Sequence, residues 1–235
     1  MRIDKLLANS GFGTRTEVKK LLKSGVIIVD GKMIKDGSSH VDPVSSTVSV
    51  AGEDIVYKEF VYYMMNKPQG YISATEDRYL KTVLDLLAPE DIAKGLFPAG
   101  RLDRDTEGFL LLTNDGQLAH QLLSPKKHVP KTYFARIDGE VTPDDIETFK
   151  LGVTLEDGYE TKPADLVILK SGQESEIRLT ITEGKFHQVK RMFEAVGKKV
   201  VFLKRISMGR LQLDASLNLG EYRELTENEI HLIQN

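Results

Sequence analysis

No cysteine occurs in the 235 residues, which excludes disulfides and thiolate metal sites and suits a reducing compartment. No apolar stretch approaches the roughly 20 residues that span a bilayer, and the N-terminus has no apolar signal region. The expected setting is the cytoplasm, with no membrane partner. The five histidines (40, 120, 128, 187 and 231) form no metal-spaced set. No P-loop is present, and Gly11-Phe12-Gly13 is no dinucleotide fingerprint, because it follows a helical pattern and Thr16 stands where the third glycine would be. Internal repeats and low-complexity segments are lacking too.

What remains is an ordinary globular composition, 40% apolar and 29% charged, long enough for one large domain or a small and a medium one. The net charge of −3 argues weakly against a nucleic-acid partner, but it is unevenly spread. Residues 1–43 carry eight Lys/Arg against five Asp/Glu, and the remainder is acidic. Local patches decide whether phosphates are attracted, so the front of the chain reads as a separate basic module. Within it Ile3, Leu6 and Leu7 share a helical face ended by Ser10-Gly11. Thr14 and Glu17 form a capping box for a second helix. That helix turns Val18, Leu21 and Leu22 inward and Arg15, Lys19, Lys20 and Lys23 outward, and Val26–Val29 with Asp30-Gly31 read as a strand and hairpin turn. A basic helical face tracks phosphates or is simply solvated.

The rest of the chain is organised around residues 98–116. Arg101, Asp103, Arg104, Asp105 and Glu107 run into Phe109–Leu112, an apolar run of buried-strand length closed by Asn114-Asp115-Gly116. A charged loop anchored on a core strand is where catalytic groups are often presented; the plain alternative is a solvated turn. Before it, Val61–Met65 reads as a strand and Asn66-Lys67-Pro68-x-Gly70 as a turn, with Thr82–Leu87 a short helix. After it come a helix over 117–123, a basic cluster (Lys126, Lys127, His128, Lys131), an alternating strand over 131–137 and a helix from Pro143. A second alternating strand spans 176–182. A helix over 186–197 follows, with Phe186, Val189, Phe193 and Val196 as its apolar stripe and Lys190 on the border. On pattern alone Tyr133 is a core aromatic and Lys190 a snorkelling side chain.

Gly100-Arg101-Leu102-Asp103-x-x-Thr106-x-Gly108 with its apolar run resembles the central motif of the RsuA-type rRNA pseudouridine synthases. Asn66–Gly70 and Gly184-Lys185-x-His187-Gln188-Val189-Lys190 are similar to two further motifs of that family, in the right order. Residues 2–31 resemble the S4 RNA-binding domain, with Thr14 in place of the commoner Ser. The resemblance covers nearly the whole chain. It implies an α+β protein: a small S4-like RNA-binding domain over 1–58, then a mixed or antiparallel-sheet catalytic domain over 59–235. It implies isomerisation of uridine to pseudouridine in rRNA, with no metal or cofactor. Asp103 would be the nucleophile, Lys190 its basic partner and Tyr133 the ring stacked on the target base. Leu179 would line the base pocket, and Arg101 would fill the space left by the flipped uridine. Arg2, Arg15 and Lys19 would contact RNA from the S4 module, and His187 reads as structural or RNA-contacting.

The expected partner is 16S rRNA, free or in a small-subunit assembly intermediate, acted on by a monomer. His187–Met192 and Thr161–Ala164 favour the 16S type over a 23S enzyme of the same superfamily. A non-catalytic S4-type assembly factor is the rival from another class, opposed by the retained Asp103, Tyr133 and Lys190. A hydrolase using Asp103 and Asp105 lacks a water-activating metal set.

Overall fold

The computed structural model describes residues 1–234, so Asn235, the last residue of the expected catalytic domain, lies outside the described residues. The chain forms two compact units, one of Met1–Val61 with Leu84–Phe97 and Thr113–Asp115, the other of the remaining described residues.

The first unit opens with helices α1 (Ile3–Asn9) and α2 (Arg15–Ser24). Thr14 and Glu17 close the expected capping box on α2, and Gly25 ends it in the left-handed conformation at φ 77°. The strands are β1 (Ile27–Val29), β2 (Lys32–Met33), β3 (Val48–Val50) and β4 (Glu53–Ile55). They form one antiparallel sheet in the order β2-β1-β3-β4. Asp30 and Gly31, with φ of 47° and 78°, make the expected tight turn between β1 and β2. Ile3, Leu6, Leu7, Val18, Leu22, Ile27 and Val48 are among its core residues. At roughly 1.5–3 kcal/mol per fully buried side chain, this cluster is what lets so short a segment hold together.

Strand β5 (Tyr62–Lys67) opens the second unit. Asn66 and Lys67 therefore belong to its end and not to the turn the sequence suggests. The short helix expected over Thr82–Leu87 is a 3₁₀ helix at Val83–Leu86, followed by α3 (Pro89–Ile92) and β6 (Phe97–Pro98). The central strand β7 (Glu107–Thr113) is buried throughout Gly108–Thr113, as its unbroken apolar run requires of a strand covered on both faces. Then come α4 (Gly116–Leu123), β8 (Lys131–Asp138), α5 (Pro143–Leu151), β9 (Asp165–Lys170) and β10 (Glu174–Ile181). The chain finishes with α6 (Gln188–Ala195), β11 (Lys199–Met208), β12 (Leu211–Gln212), β13 (Tyr222–Glu224) and α7 (Glu227–Gln234).

The main sheet runs β13-β5-β7-β11-β8-β10-β9, with β6 on β7 and β12 on β11. Strands β7 and β11 are parallel, whereas β8, β9 and β10 join by antiparallel pairing, so the sheet is mixed, as expected. No helix among the described residues is long and apolar enough to cross a membrane.

Gly108 lies opposite Arg205 in the parallel β7–β11 pair, at φ 101°. A Cβ there would sit 2.2 Å from the Arg205 carbonyl oxygen. Backbone strain and overpacking then add, each worth about 1–3 kcal/mol. Gly108→Ala is expected to lower the unfolding free energy by about 3 kcal/mol, read from the denaturant midpoint. An unchanged midpoint would mean that β7 and β11 do not approach this closely.

Candidate active site

Three segments far apart in sequence meet at one open cavity of about 490 Å³, lined by Gln69, Gly70, Asp103, Arg104, Asp105, His187 and Lys190. Strand β5 contributes Lys67 from beneath. The Lys67 side chain is fully buried, and its Nζ donates to the carbonyls of Pro68 (3.0 Å), Asp103 (3.0 Å) and Thr106 (2.9 Å). A buried ammonium must spend all three N–H groups on acceptors, and here the acceptors are the two ends of the 103–106 turn and its own neighbour. Burial pushes the Lys67 pKa down to about 8 against the pull of Asp105, Asp103 and Glu107, with Arg205 adding to the depression.

The same loop is pinned twice more. Ser73 Oγ donates to the Leu102 carbonyl and accepts from the Leu102 N–H, both at 3.0 Å. The Gly70 N–H donates to the Arg104 carbonyl at 2.8 Å, and Arg104 Nε returns a bond to the Gly70 carbonyl at 3.2 Å. The Asn66–Gly70 segment is thus a brace for the Asp103 loop, a role that its sequence left open.

Above the brace, the Asp103 carboxylate is partly exposed. Its Oδ2 is 3.4 Å from Lys190 Nζ and its Oδ1 3.6 Å from His187 Nε2. Lys190 meets Asp103 as expected, but its shorter contacts go to Asp105, at 2.6 and 2.9 Å. Partial burial would raise the Asp105 pKa, yet the bond and charge of Lys190 outweigh it and hold that carboxyl below its ordinary value. One cation therefore serves two carboxylates, of which Asp105 is the more exposed and the more tightly held.

The remaining predicted residues are placed less uniformly. Tyr133 and Leu179 lie opposite each other on β8 and β10, with Arg205 opposite Tyr133 on β11. All three are buried, and none lines the Asp103 cavity. Arg101 is exposed on the loop. Arg15 and Lys19 lie on the exposed face of α2, in the first unit. Arg2, in the same unit, grips Asp4 in a two-bond ion pair. Of the second basic cluster, Lys126, Lys127 and His128 are exposed, but Lys131 turns inward, with Nζ on the Val129 carbonyl. Its pKa falls to about 8 through burial and the neighbouring Arg205. Lys162 takes its place outside, 2.9 Å from His128 Nδ1. A larger cavity of about 550 Å³, over Thr132, Phe134, Arg178 and Lys204, contains none of Asp103, Tyr133, Leu179 and Lys190.

Helix α6 departs from the expected stripe. It begins at Gln188 and buries Gln188, Val189, Met192 and Phe193, because His187 at φ 49° breaks the helical phase. Phe186 is left 75% exposed. Arg191 pairs with Asp157 at 2.6 Å. Among the described residues no group of three or more His, Asp or Glu is placed to hold a metal ion.

Comparison with known proteins bears on this arrangement. Residues 61–195, which hold the whole Asp103 cavity, match the RNA pseudouridylate synthase family, and residues 1–45 match the S4 domain. The chain belongs to the RNA pseudouridine synthase family. The synthase is 59% identical to an RNA pseudouridine synthase of Bacillus subtilis (strain 168), over 99% of this chain and 98% of that protein. It is 41% identical to the ribosomal small subunit pseudouridine synthase A of Escherichia coli (strain K12), over 98% of each. A crystal structure of a pseudouridylate synthase, 37% identical, superposes with a TM-score of 0.70 over 99% of both chains. The S4 domain and the synthase domain follow one another along the chain as its motifs imply.

Proposed function

We propose that this synthase converts one uridine of 16S rRNA to pseudouridine in the cytoplasm, with Asp103 as the nucleophile. The observation that carries the reading is the setting of Asp103: a carboxylate at an open cavity, on a loop pinned by Lys67, Ser73 and Gly70, facing Lys190 and His187. Full-length likeness to a small-subunit enzyme supports the choice of rRNA.

The reaction breaks the N1–C1′ bond of uridine, turns the base, and joins C5 to C1′; C5 loses its hydrogen to solvent and N1 gains one. Atoms balance with no added reagent. A nucleophile held against the reacting centre splits this into two easier displacements, and Lys190 orients the carboxylate while offsetting its charge. The base must leave its stack to reach Asp103. Arg101, exposed on the loop, fills the space it vacates; the family resemblance gives Tyr133 the stacking role and Leu179 the base pocket, from buried positions on β8 and β10 outside the lining of the cavity. Arg2, Arg15 and Lys19 supply sequence-independent phosphate contacts.

Tritium release from 5-[³H]uridine-labelled rRNA tests this, since C5 gives up its hydrogen only when it becomes the glycosidic carbon. Release from 16S rRNA, free or partly assembled, and not from 23S rRNA is expected. Release from 23S alone would keep the chemistry and move the target; tight binding of both without release would point to an assembly factor.

A further inference from the structure

We propose that Phe186, stacked on His187, is a platform for an unpaired nucleobase next to the target uridine. The proposal deepens the reading above and rests on RNA being the substrate. The Phe186 and His187 rings are 3.8 Å apart at 16°, the spacing of a stacked pair. With one Phe186 face covered by His187, its 75% exposure belongs to the other face and the edge. His187 in turn lines the catalytic cavity and approaches Asp103 Oδ1 at 3.6 Å, so the platform begins where the cavity ends.

The pair sits on a turn with its own hydrogen-bond network. The turn that carries it is tied down by Glu183, which is buried and accepts from Tyr159 Oη (2.7 Å), the Lys162 N–H (3.0 Å) and Gln188 Nε2 (2.7 Å). Gln188 Oε1 accepts from the Lys185 N–H at 2.8 Å, closing the turn around Phe186. His187 adopts the left-handed conformation, rare for a residue with a side chain, and that turn sets its ring beneath Phe186. A ring already stacked on one face has less conformational freedom to lose when a base stacks on the other.

The occupant follows from the surroundings. Lys185, whose ammonium sits 4.6 Å over the Tyr159 ring, and Arg104 of the cavity bring positive charge to its surroundings, whereas Lys190 is matched by Asp103 and Asp105. A flat apolar face with Lys185 and Arg104 near it suits a flat base on an anionic backbone. Stacking of this kind is tolerant of base identity and is how single-stranded RNA is held. An unpaired base flanking the flipped uridine meets both conditions, and gripping it would select uridines in loops over those in helices.

The test compares Phe186→Ala, Phe186→Leu and Phe186→Tyr in two measurements on 16S rRNA: filter-retention affinity, which needs no turnover, and single-turnover tritium release. Phe186→Ala and Phe186→Leu are expected to weaken affinity about tenfold, the lower-middle of the range for one stacked base. Their rate at saturating RNA changes much less, and Phe186→Tyr recovers most of the loss. If Phe186→Leu bound like the wild type, only apolar cover would be needed and the platform would be refuted. A dimeric wild type made monomeric by Phe186→Ala would instead assign the ring to a second copy and overturn the proposal. Wild-type binding without tritium release would sink the reading of the substrate while the affinities still judged the platform.

Discussion

Asp103→Asn is expected to abolish tritium release, lowering the single-turnover rate by about 10⁴-fold or more, while RNA affinity changes less than about twofold. The amide keeps the size of the carboxylate and can still face Lys190 and His187, so the cavity should hold its shape. What disappears is the charge and the nucleophilic oxygen. Losses of this size are normal when a covalent participant is removed from an otherwise intact site. Affinity is expected to survive because phosphate contacts supply most of the binding energy of a protein–RNA complex, and Asp103, an anion, makes none of them. Wild-type turnover in this variant would assign the nucleophile elsewhere, with Asp105 the next carboxylate to remove.

The second large effect falls on a residue with no direct part in bond making. In Lys67→Met a side chain of similar length loses three donors, and the carbonyls of Pro68, Asp103 and Thr106 lose the ammonium that gathers them. Buried acceptors left unpaired cost about 1–3 kcal/mol each, partly offset because a buried charge is removed as well. A net destabilisation of about 2 kcal/mol is expected. The rate should suffer more, by roughly 10²-fold, since displacement of a catalytic group by about 1 Å is enough for that. Comparing kcat with the denaturant midpoint separates the two effects.

Stability should also respond to pH in a direction set by Lys67. Its folded pKa of about 8 lies below the ordinary value of 10.5, so the folded protein releases this proton first. Below pH 8 the penalty of burying the charge is present in full. It fades as pH rises from 8 to 10.5, where the unfolded chain holds more protons, and the unfolding free energy therefore climbs. The gap in stability between wild type and Lys67→Met should widen in favour of the wild type across that window, by on the order of 2–3 kcal/mol. A gap that stayed flat would mean that Lys67 titrates like an exposed lysine.

How much of this was legible in the sequence depends on the kind of signal. The buried run Phe109–Leu112, the alternation of β8 and β10 and the Thr14–Glu17 capping box are local patterns, and the fold follows them closely. Phe186 shows where local pattern fails. A 100° period carried two residues back beyond the true helix start makes it core, and no residue type announces that His187 will take a left-handed conformation. Lys67 did carry a signal, a lysine closing an apolar strand, which must find acceptors if it is buried. Which acceptors it finds depends on a loop 36 residues away, beyond any local reading. The division of Lys190 between Asp103 and Asp105 is finer still, set by side-chain geometry across 85 residues. Resemblance supplied the pairing with Asp103, and only the structure reveals the competitor.

The position of β11 has a consequence for how the enzyme comes into being on the ribosome. Strands β7 and β8 are separated by only 17 residues of chain, yet they are not neighbours, because β11 lies between them. Until Met208 has been synthesised, β7 on one side and β8, with the β9–β10 hairpin paired to it, on the other lack the strand that pairs with both. The S4 sheet, with all its strands inside the first 55 residues, needs only near-neighbour pairing and is free to fold early. A growing chain would therefore acquire its grip on RNA well before the strand that completes its catalytic sheet. Unfinished chains could hold RNA but not alter it.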